Sequence, residues 1–369
     1  MKKILLGIVC DGNAGGVDKH ILNFYRGIRK NSVKIDFLTN IENNPLGQEL
    51  KQNGSELFCI KSLKNPLKQY SQVKQIIKKY NYDIVYLNIS TAMAFPILLA
   101  AKNNSVEIII AHSHSAGLDI QNKLKRCIFT ILHKAAKPLI KYSCTHFLTC
   151  SQKAAEWMFS KSLIENGKVK YIQNAVNVED FCFDSKKREE IRKKYGLQEK
   201  FIIGNVGNLC YQKNHLFLLQ VIKKAIEKDD TVHLMIAGDG PLKKKIQKRI
   251  ISLGLENNVS LLGQVKIKEG YMSAFDVFAL PSRFEGMPIV SVEAQCCKLP
   301  CVLSNTISKE AKISNMCEFV SIKKAEIFSE ALLKFKNINR EEFQISGELS
   351  RFDIKTQLSE LKKVIDREI

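Results

Sequence analysis

Apolar runs of strand length alternate with helix-length stretches twice over along this 369-residue chain. That alternation confines it to an α/β fold of parallel sheets with helices on both faces. In the first half, strands are expected at Lys3–Cys10, Val33–Thr39, Asp83–Leu87, Val106–Ala111 and Thr145–Thr149, with helices between them that include Val17–Lys30 and Leu67–Tyr80. The second half repeats the pattern with strands at Phe201–Gly207, Val232–Ala237, Val259–Leu262, Val277–Leu280 and Pro300–Ser304, and a helix at His215–Glu227. Between the halves, Tyr171 to Phe181 reads as a loop and Ser185–Tyr195 as a charged helix. The length is comfortable for two cores rather than one. Domains are therefore set at residues 1–180 and 181–352, with a terminal helix, Ile354 to Arg367, within 353–369.

The second half holds the segment richest in chemistry, Arg283-Phe-Glu-Gly-Met-Pro-Ile-Val-Ser-Val-Glu-Ala-Gln295. The buried strand before it ends in Pro281, Gly286 and Pro288 make a turn, and Ile289 to Cys297 reads as a helix with Pro288 at its first turn. Glu285 thus sits on a loop at the carboxyl end of a strand, and Glu293 one to two turns into the helix, facing the crevice where open α/β sheets bind ligands. Helix N–H groups at Gly286 and Met287 attract phosphate, and the two acids accept hydrogen bonds from hydroxyls. That combination suits a diphosphate flanked by two polyols, a sugar nucleotide. Two acids alone are more simply read as a solvated loop residue and a helix-surface residue; the flanking Pro-Ser-x-Phe-Glu-Gly-Met-Pro tips the choice toward the ligand site.

Three further segments sit where strands give way to helices. Cys10-Asp-Gly-Asn-Ala-Gly-Gly-Val-Asp18 offers Gly15 and Gly16 for close approach of a backbone to a diphosphate, without the spacing of a dinucleotide fingerprint. Gly204-Asn-Val-Gly-Asn-Leu-Cys-Tyr-Gln-Lys-Asn214 brings Lys213, and Ala237-Gly-Asp-Gly-Pro-Leu242 lies at the end of the strand expected at Val232–Ala237. His112 and His114 follow a first-half strand with their side chains on one side of it; a metal pair is conceivable, but no third ligand is signalled.

The stretch from Asp276 to Pro300 resembles the Glu-x7-Glu donor-binding motif of retaining glycosyltransferases of the GT-B architecture, and most resembles family 4 and its capsule and exopolysaccharide branch. With the two glycine loops and Ala237 to Leu242, the resemblance covers nearly the whole chain. It implies two Rossmann-like domains with parallel sheets facing a central cleft, the first on the acceptor side, the second binding the donor, and the last helix crossing back to the first. It further implies transfer of a hexosyl or N-acetylhexosaminyl group from a UDP-sugar to a glycan or lipid-linked oligosaccharide, without a metal or other cofactor. On the matching positions, Lys213, Gly286 and Met287 would meet the leaving diphosphate, Glu285 and His114 the sugar hydroxyls, Glu293 the ribose, and Gly15 and Gly16 the diphosphate or the acceptor. Asn208 stands where the family usually has an arginine, so one neutral hydrogen bond replaces a bidentate charged pair there. The rival readings are a sugar-nucleotide epimerase of the same fold and a nucleic-acid-binding protein.

The net charge of +20 bears on the last of these. The first 175 residues carry 25 basic and 11 acidic side chains, yet no nucleic-acid-binding signature is present and the excess is lysine, so nucleic acid is not expected as a partner. The charge gathers between Gln121 and Tyr142, where Leu124, Ile128, Ile131, Leu132 and Ala135 recur at helical spacing and Lys123, Arg126, Lys134, Lys137 and Lys141 lie largely off that face. Such a helix suits an anionic membrane surface; a core-facing helix with a solvated lysine face accounts for the pattern equally well. The apolar stretch from Thr91 to Ala101 falls short of the ~20 residues that span a bilayer, and the amino terminus lacks a signal peptide's apolar region. Eleven scattered cysteines read as reduced thiols. The expected location is the cytoplasm, peripheral to the inner face of the plasma membrane.

Overall fold

The computed structural model describes residues 1–10, 15–28, 33–267, 270–345 and 347–366. It divides into two compact units, residues 1–175 with 354–369, and residues 176–353.

In the first unit, β1 (Lys2–Gly7), β2 (Val33–Thr39), β3 (Leu57–Cys59), β4 (Ile84–Ile89), β5 (Ile108–Ser113), β6 (His146–Thr149) and β7 (Val169–Tyr171) pair in parallel in the order β3-β2-β1-β4-β5-β6-β7. Successive side chains sort onto opposite faces. Leu5, Val85 and Ile109 join a core with Val73 and Ile77 of the helix Pro66–Tyr80 and Ile97 and Leu98 of the helix Phe95–Lys102. Ile4, Tyr86 and Ile110 join the other core with Ile21 and Phe24 of α1 (Gly15–Ile28). Burial on both faces is why these strands read as continuous apolar runs.

That second core is completed from the far end of the chain. Leu361, Val364 and Ile365 of a late helix, Ile354–Asp366, are buried in it. Gly27 lets this helix approach α1, since a Cβ there would lie 2.2 Å from Leu358 Cδ1. Lys2 pairs with Asp366 at 2.8 Å and Lys170 with Glu360 at 2.9 Å, but partly exposed pairs of this kind add little. The hydrophobic burial does most of the fastening.

The second unit repeats the plan. Following the helix Ser185–Tyr195, strands β8 (Phe201–Val206), β9 (Val232–Ala237), β10 (Val259–Gly263), β11 (Val277–Leu280), β12 (Cys301–Ser304) and β13 (Cys317–Val320) form a parallel sheet in the order β10-β9-β8-β11-β12-β13. In both sheets the chain runs outward one way and then the other, so the order reverses between β1 and β4 and between β8 and β11. Ligands of open α/β sheets bind beyond the carboxyl ends of such strands.

Local differences from the sequence reading have simple causes. β3 and β7 hold only three residues each, too few to show a period. β5 runs to Ser113, so His112 lies within the strand and not after it. The helix after β11 spans Ile289–Cys296 with Pro288 at its cap, so Gly286 and Met287 lie in the turn ahead of it rather than in its first turn. The glycine-loop residues 11–14 and the expected helix ends at Lys30 and Arg367 lie outside the described residues.

The basic helix, Lys123–Ser143, is capped by the Asn122 side chain, which accepts the Lys125 N–H at 2.9 Å. Its later turns bury His133, Ala136 and Ile140, but no residue from Lys123 to Leu132 is buried. Leu124 is 71% exposed and Ile131 62%, so the apolar stripe faces solvent and not a core. Lys123, Lys134 and Lys141 are exposed with it, whereas Arg126 donates to the Ile120 carbonyl at 2.8 Å and Lys137 to the Glu156 carbonyl at 3.0 Å. Among the described residues, no helix is long and apolar enough to cross a membrane.

Candidate active site

In the second unit, the chain leaving β8 passes close beside the chain leaving β9. Gly207 N–H donates to the Ala237 carbonyl at 3.0 Å and Leu209 N–H to the Asp239 carbonyl at 2.9 Å. Glycine is required at this crossing: a Cβ on Gly238 would lie 2.1 Å from the Gly207 oxygen, and one on Gly240 2.8 Å from the Leu209 nitrogen. The glycine turn at Ala237 to Leu242 therefore acts as a support for the loop that carries Lys213.

At the end of that loop, Lys213 Nζ contacts Glu285 Oε1 at 2.7 Å, and Gln212 Nε2 donates to Oε2 at 2.8 Å. The strand partners bring them there: β8 and β11 are neighbours, and Arg283 N–H donates to the Gln212 carbonyl at 2.8 Å, tying the two following loops together. Asn214 takes the left-handed conformation (φ 59°) and donates to the Pro281 carbonyl at 3.1 Å, which turns the chain into the helix His215–Ile226. Glu285 and Glu293 are buried, at 6% and 4% exposure. Neither lies on a solvated surface, the simpler expectation for two acids. Gly286 and Met287 are also buried, and Asn208 is exposed. Gln212 was not singled out in the sequence, because a glutamine in a loop carries no signal until its partner is known.

In the first unit, Gly15 and Gly16 open α1, with Gly15 at φ 78°. His114 lies past the end of β5, 7% exposed, and its ring is held on both sides: Nδ1 meets Asn174 Oδ1 at 3.0 Å and Nε2 meets Asn88 Oδ1 at 2.8 Å. Burial pushes its pKa down to about 4. A neutral ring donates through one nitrogen and accepts through the other, so one of the two asparagines presents its amide N–H instead.

Two more imidazoles crowd this ring. His112 lies 4.1 Å from His114 and His20 4.7 Å, measured between ring centres. Tyr86 Oη bridges them, 2.9 Å from His20 Nε2 and 2.7 Å from His112 Nδ1. Burial drives the pKa of both His20 and His112 down. The third histidine missing from the sequence reading is thus His20, brought from α1. Among the described residues, these three form the one group with nitrogens close enough, all within 4.8 Å, to hold a metal ion. The donor set fits poorly, however, because both His114 nitrogens are already committed to asparagines.

Comparison with known proteins bears on the family of the chain. The family described as Glycosyltransferase Family 4 matches residues 14–180, and that described as Glycosyl transferases group 1 matches residues 187–346. EpsF of Bacillus subtilis, a glycosyltransferase by name, is 30% identical over 319 residues, covering 84% of this chain and 81% of its own. The Escherichia coli UDP-Gal:alpha-D-GlcNAc-diphosphoundecaprenol alpha-1,3-galactosyltransferase is 29% identical over 260 residues, 69% of this chain and 66% of that one. The capsular polysaccharide biosynthesis glycosyltransferase CapM of Staphylococcus aureus is 24% identical, covering 70% of each. Among solved structures, HepE of Anabaena in complex with UDP superposes over the full length of both chains with a TM-score of 0.77 at 18% identity.

Proposed function

The chain belongs to glycosyltransferase family 4, in the branch of exopolysaccharide and capsule synthesis, and from that membership we propose that it transfers a sugar from a UDP-sugar, with retention of configuration, to a hydroxyl of a lipid-linked glycan. The contact of Lys213 with Glu285 beyond the carboxyl ends of β8 and β11 carries this reading. A cation and a carboxylate meet there beyond the carboxyl ends of the strands, where open α/β sheets bind ligands, which suits them to a phosphate and to sugar hydroxyls. Support for the donor and acceptor classes comes from the HepE complex with UDP and from the diphosphoundecaprenol substrate in the galactosyltransferase's name.

In this mechanism the second unit holds the nucleotide. As the UDP leaves, negative charge grows on its phosphates, and Lys213 with the N–H groups of Gly286 and Met287 stabilises it. Asn208 adds a neutral hydrogen bond, Glu293 accepts from the ribose hydroxyls, and Glu285 from those of the sugar. In the first unit, Gly15 and Gly16 allow close approach at the start of α1, and neutral His114, steadied by Asn88 and Asn174, contacts the sugar. Retention by same-face attack of the acceptor on an oxocarbenium-like sugar suits a site whose acids serve as hydrogen-bond acceptors.

In the same proposal, the helix Lys123–Ser143 would dock the protein on the inner face of the plasma membrane. Its exposed leucine and isoleucine stripe supplies an apolar signal, and Lys123, Lys134 and Lys141 supply charge, the pair of signals that stable attachment needs. Incubation with a panel of UDP-sugars and diphosphoundecaprenol-linked acceptors tests the transfer, with NMR of the new linkage. An α-linked product from an α-linked donor is expected. Inversion of that linkage sinks the retaining assignment, and epimer formation without acceptor replaces transfer with the epimerase reading.

A further inference from the structure

We propose that the second unit carries an additional binding site, for a phosphate-bearing small molecule, at the amino-terminal edge of its sheet. Phe201 opens β8, while Thr231, Asp276 and Pro300 directly precede β9, β11 and β12, and all four line a cavity of about 770 Å³. Lys213 and Glu285 follow the opposite ends of β8 and β11, so the length of the strands separates the cavity from the donor residues. Its volume lies within the range of about 300–1,000 Å³ usual for small-molecule sites.

The cavity is short of negative charge. Arg188, Arg192, Lys200, Lys298, Lys336 and Arg340 line it, against the carboxylates of Glu199 and Asp276. Asp276 already serves two guanidinium groups, Arg188 and Arg192, at 2.5 Å each, and also accepts the Ile202 N–H at 2.7 Å. Arg340 is not among its donors. Lys336 is paired with Asp229 and Lys200 reaches only the Asp230 carbonyl, so the unmatched charge falls to Lys200, to Arg340 and to Lys298, which is exposed at the rim.

Arg340 is the group that points to a ligand. Its Nη2 donates to the Phe275 carbonyl, but its Nη1 is buried with no hydrogen-bond partner. The guanidinium lies over the Phe183 ring at 4.6 Å, which orients the fork without satisfying it. Burial, and next the neighbouring Arg188 charge, push its pKa down to about 10. A buried cationic donor lacking an acceptor is relieved by an anion, and guanidinium forks match phosphate oxygens two at a time. Phe335, Pro300 and Ile338 give the rest of the wall an apolar character, suited to a ligand with a ring or carbon skeleton beside its phosphate.

Isothermal titration of the full chain with inorganic pyrophosphate, with saturating UDP present, tests this. Pyrophosphate is expected to bind in the presence of UDP. Its affinity should fall about tenfold or more in Arg340→Gln and in Lys298→Glu. Lys298 is exposed, so its variant reports on the site even where Arg340→Gln fails to fold. No pyrophosphate binding, binding abolished by UDP, or equal affinity in wild type and Lys298→Glu overturns the proposal. Because the readout needs no transfer activity, its failure is separable from a failure of the glycosyltransferase mechanism.

Discussion

Lys213 and Glu285 hold each other at 2.7 Å, although the proposed reaction asks them to grip different parts of the donor. Their side chains are only 15% and 8% exposed, and Gln212 completes the coordination of the carboxylate. The pair lies in a nearly dry place. A diphosphate that draws the ammonium away frees the carboxylate for sugar hydroxyls, so donor binding would exchange one charged contact for two.

Removing one partner should therefore cost more than removing both. Lys213→Met leaves the Glu285 charge buried with Gln212 alone, and a loss of about 3 kcal/mol in urea unfolding is expected. The double variant Lys213→Met/Glu285→Gln should recover part of that loss. Equal destabilisation in the single and double variants would show the two groups to be uncoupled.

Glu293→Gln should weaken UDP binding by ~1–3 kcal/mol, the cost of losing a charged acceptor for the ribose hydroxyls. Calorimetric titration with UDP measures it. Wild-type affinity in this variant would remove Glu293 from the nucleotide site.

Glu285→Gln and His114→Ala should lower kcat on the true acceptor more than they lower UDP affinity, because contacts to the sugar strengthen as charge develops on its ring. Asn174→Ala, which releases one side of the His114 ring, should show a milder form of the same split. Unchanged turnover in both His114→Ala and Glu285→Gln would move the sugar subsite elsewhere.

Acid stability should depend on the buried histidines. An unfolded chain protonates His114 near its ordinary 6.5, whereas the folded protein resists until about 4. Between these values the folded state binds fewer protons, so this contribution is intact above the upper value and is lost as pH falls toward the lower one. His20 and His112, lowered by burial as well, act in the same direction. Urea midpoints at pH 7 and pH 5 should therefore converge in His114→Gln relative to wild type. An equal pH-dependent loss in both proteins counts against this origin.

Membrane attachment should rise with the anionic lipid content of vesicles and fall with salt. Changing Lys123, Lys134 and Lys141 to Gln should reduce co-sedimentation and leave UDP binding intact. Equal sedimentation of the wild type with neutral and anionic vesicles would return the helix to an ordinary solvated surface.

The strands that bury both faces, such as Ile84–Ile89 and Val232–Ala237, were legible because their apolar runs are continuous. Lys213 and Glu285 were singled out by the motifs that carry the family resemblance, but their contact with each other shows only once β8 and β11 pair. The surroundings of His114 were not. His20, Asn88 and Asn174 come from three distant segments and meet the ring only once α1, β4 and the chain after β7 are in place. The choice between a core-facing and an outward-facing basic helix was open for a related reason: periodicity reveals a stripe but not what lies opposite it.

The helix Ile354–Asp366 gives the first unit an unusual dependence on synthesis. Leu361, Val364 and Ile365 fill a core whose other members lie within residues 4–172. During translation, at roughly 5–20 residues per second, those earlier residues leave the ribosome with part of their apolar surface uncovered, and the whole of the second unit must emerge before the cover arrives. The nascent first half is therefore the stage most in need of a chaperone, and a stop codon before residue 354 would injure the oldest part of the chain rather than the newest.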